Sequence, residues 1–62
     1  MNPDAIYAMF LAAVRARELV LARTYARAIL AELKAENYPA ALRWPQQMAR
    51  FRAFVTRNTE AL

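Results

Sequence analysis

From Pro3 to Pro39 the chain contains nothing that ordinarily stops an α-helix: no proline lies between them, and glycine is absent from all 62 residues. Glycine is the usual stop because, lacking a Cβ, it enters the left-handed backbone region without a clash. A start signal is present. Asn2 can cap, Pro3 suits the first helical position, and Asp4 meets the positive end of the helix dipole. The reading is one helix over about 3–36, which at 1.5 Å per residue is about 50 Å long. Pro39 disfavours helical backbone at Tyr38, so the first turn falls at 37–39. A second helix is expected over about 40–58, with a break near 44–45, where Pro45 pushes Trp44 out of the α region. The tail 59–62 is expected to fray.

Composition agrees with an all-α fold, since 15 of the 62 residues are alanine and Leu, Arg, Glu, Met and Gln supply much of the rest. A chain of this length makes one domain, 1–62, and buries only about 60% of its unfolded surface. Small folds of this kind need a staple. With no cysteine and no histidine, disulfides and the usual zinc sites are excluded, and oligomerisation is the staple that remains.

Folding at residue 38 sets Ile29 near Met48, Tyr25 near Phe51, Leu21 near Val55 and Val14 near Leu62. It also places Glu18 opposite Arg57 or Asn58, and Glu32 opposite Arg43. Helix 2 then runs out beside Val14, so the uncharged stretch Ala5 to Ala13 overhangs the hairpin. Ile6, Tyr7, Met9, Phe10 and Leu11 point around nearly all of that overhang, and a helix apolar all round is a buried one. A second chain is the expected cover. Small residues extend the argument, because Ala5, Ala8, Ala12, Leu19, Ala22 and Ala26 form a row with heptad-like spacing. The expected oligomer interface therefore comprises these residues with Ile6, Tyr7, Met9, Phe10 and Leu11, and a dimer closing into a four-helix bundle is favoured.

Enzymatic readings fail early, because the chain has no His, Cys, Ser or glycine-rich phosphate loop. No catalytic residue, metal ligand or cofactor is expected. Glu18 and Glu32 do not make a carboxylate metal bundle without Glu-x-x-His pairs. The expected function is a non-enzymatic assembly module that binds itself or another protein through its apolar N-terminal helix.

The alternative follows from charge. Nine bases, eight of them arginine, face five acids, for a net charge of +4. Such a surface attracts phosphate. Arg23, Arg27 and Lys34 share one side of helix 1, while Arg50 and Arg52 are the freer cations of helix 2, so these five are the candidate nucleic-acid contacts. Arg43 and Arg57 are assigned to the intrachain pairs above. The segment RWPQQMARFR carries Gln46, Gln47 and Arg50, types that can read base edges from a helix N-terminus, but the single turn before it disfavours a helix-turn-helix, and Trp44 is expected to cap the hairpin core in preference to stacking on a base. A membrane-surface role is disfavoured, since Glu18, Glu32 and Glu36 interrupt the apolar stripe. No basic run precedes the apolar stretch and no cleavage site follows it, which points to a cytoplasmic or virion-internal protein.

Overall fold

The computed structural model describes residues 2–58. It is all-helical, with α1 over Pro3–Arg15, α2 over Leu19–Lys34, a 3-10 turn over Ala40–Arg43 and α3 over Pro45–Arg57. No strand occurs among the described residues. The molecule measures 25 × 21 × 19 Å, so a 50 Å helix has no room in it. The long first helix and the two-helix hairpin are thus corrected: the chain folds back at 16–18 and makes three helices.

The break needs no glycine because Arg17 itself enters the left-handed region, at φ 59°. Its N–H donates to the Val14 carbonyl at 3.1 Å and the next N–H, of Glu18, donates to the Ala13 carbonyl at 2.9 Å. Those two bonds are the Schellman pattern, which satisfies the carbonyls a helix end leaves open. α2 ends the same way. Glu36 sits at φ 62°, its N–H on the Leu33 carbonyl and the Asn37 N–H on the Glu32 carbonyl, at 3.0 and 2.8 Å. Both positions are held by residues with a Cβ, at about 1–2 kcal/mol each.

The start of α1 is as the sequence indicates. Asn2 Oδ1 accepts from the Asp4 N–H at 2.8 Å, and Pro3 occupies the first turn. Asp4 does a second job, accepting the Ala40 N–H at 2.6 Å and so tying the first turn of α1 to the 3-10 turn. Pro45 opens α3 from an extended Trp44, as expected.

Turning back at 16–18 lays α1 on α2. Ala22 and Ala26 have no exposed surface, and Ala13 very little, so small side chains let these two helices approach closely. α3 is joined to α1 by aromatic rings: Phe10 meets Phe51 at 5.5 Å and Phe54 at 5.0 Å between centroids, both edge-on, with Tyr7 stacked on Phe10 at 6.0 Å. Edge-on pairs of this kind add about 0.5–1.5 kcal/mol beyond area burial. Ile6, Ile29 and Leu42 complete a core that contains no buried polar or charged side chain among the described residues.

Three of the five large side chains expected to overhang, Ile6, Tyr7 and Phe10, are therefore inside. Ile6, Tyr7 and Phe10, with Ala22 and Ala26, are buried in the chain's own core, whereas Ala5, Ala8, Ala12 and Leu19 are exposed and Met9 and Leu11 half-buried. The partner pairs drawn from the hairpin change too: Glu32 accepts from Asn37 Nδ2 at 2.7 Å and not from Arg43. The expected pair Val14 with Leu62, and the fraying of 59–62, lie outside the described residues.

Candidate nucleic-acid interface

From Asn37 to Thr59 the sequence has no acid, and it carries Arg43, Arg50, Arg52 and Arg57. Most of that stretch is α3, whose Phe51 and Phe54 face the core while Gln46, Ala49, Arg50, Arg52, Ala53 and Arg57 remain exposed. Helical spacing arranges the outward residues in three rows. Ala49 and Ala53 form the ridge. Arg50 and Arg57, seven residues apart, lie toward α1, where they edge a groove of about 310 Å³ floored by Phe10, Leu11, Val14 and Phe54. Arg52 lies on the other flank, beside a groove of about 360 Å³ floored by Leu30, Leu33, Phe51 and Val55.

α2 extends this second flank. Arg23, Arg27, Leu30 and Lys34 follow the i, i+4, i+7, i+11 spacing of a single helix face. Leu30 lines the α2–α3 groove and Arg23 Nη2 donates to Asn58 Oδ1 at 3.3 Å, so that face lies alongside α3. Arg27 and Lys34 are exposed. Arg23 is half-buried and its Nε is a buried nitrogen without a hydrogen-bond partner, which makes it more a strut to the end of α3 than a free cation. Of the five expected contacts, then, Arg27, Lys34 and Arg52 share one flank, Arg50 lies across the α3 ridge, and Arg23 is committed to Asn58.

Arg43 and Arg57 were assigned to intrachain acids and belong with the exposed cations. Among the described residues, Arg57 Nε donates to the Ala53 carbonyl of its own helix, at 3.4 Å, a long bond, and to no acid. The assignment depended on the hairpin register, which the turn at 16–18 removes. The absence of acid from 37 to 59 was the signal that could have found them. Described carboxylates have other work or another place: Asp4 holds the Ala40 N–H, Glu32 holds Asn37, and Glu18 and Glu36 mark the two ends of α2.

No family model, curated protein or solved structure matches the chain.

Tyr7 borders the Arg50 flank. Its hydroxyl donates to Gln47 Oε1 at 3.4 Å, a weak bond, and burial pushes its phenol above the usual value, with the Arg50 charge opposing part of that rise. The phenol stays neutral at physiological pH, so it adds no negative charge to a cationic flank. Trp44 departs from expectation. It does not cap the core, where Pro39 and Leu42 are buried, and is instead 66% exposed at the entry to α3, between Arg43 and Pro45. Among the described residues no three carboxylates gather to hold a metal, and no helix is long and apolar enough to cross a membrane.

Proposed function

We propose that the protein is a non-enzymatic nucleic-acid-binding module that presents α3 to a phosphate backbone. The observation that carries this reading is the arrangement of α3: a small-residue ridge of Ala49 and Ala53, guanidinium groups on both flanks, and no acid anywhere along it. Alanines let the helix axis come close to a polyanion, and arginines on either side can each take a phosphate bidentately. Arg27 and Lys34 widen the cationic surface on the α2 side. Phosphate contacts of this kind position without specifying sequence, so affinity is expected to vary strongly with salt and weakly with sequence.

The test is fluorescence anisotropy of labelled oligonucleotides at two salt concentrations. Each phosphate contact contributes about 0.7 to the slope of log K against log salt on a single strand. Converting Arg50 and Arg52 to Gln is expected to flatten that slope by roughly 1.4, two such contacts. Absence of binding at low salt refutes the reading.

Self-association is the second reading, and it rests on a different surface from the buried N-terminal helix. Leu19, Val20 and Leu21 open α2 with 46%, 75% and 40% of their surface exposed, three consecutive apolar residues in water. A docked copy would cover them. Val20→Asp is then expected to reduce the sedimenting mass, and an unchanged mass would dispose of this reading.

A further inference from the structure

We infer that Trp44 is a stacking platform for an unpaired nucleobase, so that the nucleic acid this protein takes is single-stranded or carries an unstacked nucleotide. The inference rests on the phosphate-binding reading above and names its ligand class. Four aromatic side chains, Tyr7, Phe10, Phe51 and Phe54, are buried, yet the chain's single tryptophan is 66% exposed. Leaving the largest apolar side chain in water forgoes the burial that holds the rest of the fold together.

Its backbone is fixed. Leu42, two residues earlier, is 1% exposed and anchors the 3-10 turn, while Pro45 follows at once and restricts Trp44 to the extended region, where it sits at φ −89° and ψ 131°. The Trp44 carbonyl accepts the first α3 bond, from the Met48 N–H at 3.0 Å. With the backbone already ordered, only the side-chain rotamers of the indole remain to be fixed on binding.

Its surroundings select the partner. Arg43 precedes it and is exposed, Gln46 follows and is exposed, and the acid-free stretch 37–59 runs to either side. An apolar protein surface would not need that charge, whereas a nucleotide offers a π-face to the indole and a phosphate to the neighbouring guanidinium. Bases inside a duplex are already stacked on one another and offer no free face to a side chain outside. Stacking is tolerant of base identity, which agrees with a site built from phosphate contacts.

The experiment compares three labelled ligands by anisotropy: an oligothymidylate, an abasic strand of the same length, and a blunt duplex. The sole tryptophan gives a second signal through its own fluorescence. A stacked base is worth about 1–3 kcal/mol, so the oligothymidylate is expected to bind roughly 5- to 150-fold tighter than the abasic strand and to quench Trp44. Trp44→Ala is expected to bring oligothymidylate down to the abasic affinity, with Trp44→Phe between the two. Trp44 is mostly exposed, so both variants are expected to keep the helical content and melting temperature of the wild type. Equal binding of abasic and base-bearing strands, unchanged by Trp44→Ala and still salt-dependent, overturns the stacking inference and leaves the phosphate reading intact. Preference for the blunt duplex overturns it likewise. Failure of all three ligands to bind at low salt refutes the phosphate reading and the inference with it.

Discussion

Replacing Arg17 by glycine is expected to stabilise the protein, and the sign of that effect distinguishes the three-helix fold from one long N-terminal helix. Arg17 stands at φ 59° and Glu36 at φ 62°, each just past the end of a helix, and both side chains are exposed. Holding a residue with a Cβ in this region costs about 1–2 kcal/mol, which glycine avoids. Glycine in turn makes the unfolded chain more disordered, a loss of about 0.4–1 kcal/mol. The difference favours Arg17→Gly and Glu36→Gly by about 0.8 kcal/mol each, with 4–8 °C of melting temperature expected per kcal/mol in a domain of this size. The two sites lie at opposite ends of α2, about 24 Å apart along its axis, so their effects are expected to add. Urea unfolding followed by far-UV circular dichroism measures this, with Arg17→Ala and Glu36→Ala as controls that remove the side chain and keep the Cβ. In a continuous helix Arg17→Gly would instead destabilise by about 1 kcal/mol. A glycine variant at 17 no more stable than its alanine control would refute the left-handed turn.

Other perturbations test the core and the interface. Phe10→Ala removes the ring on which Phe51 and Phe54 meet α1 and is expected to cost about 3–5 kcal/mol, enough to unfold much of a chain this small; a cooperative melt near the wild-type temperature would contradict the packing. Asp4→Ala releases the Ala40 N–H and is expected to cost about 1 kcal/mol, read by the same unfolding curves; no loss would mean that the contact contributes nothing. Arg27→Gln with Lys34→Gln is expected to lower oligonucleotide affinity at low salt while leaving stability within about 0.5 kcal/mol, since both are exposed. Tyr7 gives a pH test. Because its folded pKa is raised above the unfolded value of 10.0, its contribution is complete below pH 10 and is lost as pH climbs through the folded value, so stability should fall on the alkaline side and Tyr7→Phe should reduce that fall.

Much of the local architecture was legible because proline and caps act at short range. Asn2-Pro3-Asp4 opens a helix, Pro39 ends the region after α2, and Pro45 starts α3 where the sequence places it. The alanines at 22 and 26 were legible as a close-approach surface, and the structure uses them within the chain, against α1. The turn at 16–18 was not legible by residue type, because the position that glycine normally takes is filled by arginine. A subtler signal was present in the phase of the apolar stripe. Ile6, Phe10 and Ala13 project forward at helical spacing to Arg17 and Thr24, yet the buried residues of α2 are Ala22, Ala26 and Ile29. One helix cannot carry both stripes to the same side.

Energetics decides in favour of the turn. Burying Ile6, Tyr7 and Phe10 against the chain's own α2 and α3 gains about 1.5–3 kcal/mol for each large apolar side chain, several times the cost of one arginine in the left-handed region. A continuous helix would need a second chain to supply the same burial and would lose association entropy in the process. The uncharged stretch that raised the question of a partner is thus satisfied internally. Under the proposed function a partner would instead meet the acid-free α3 with its arginines and exposed tryptophan, or the apolar opening of α2. Reading charge along the sequence located the first of these only in part, since Arg43 and Arg57 looked paired in a hairpin register and are exposed once α1 folds back.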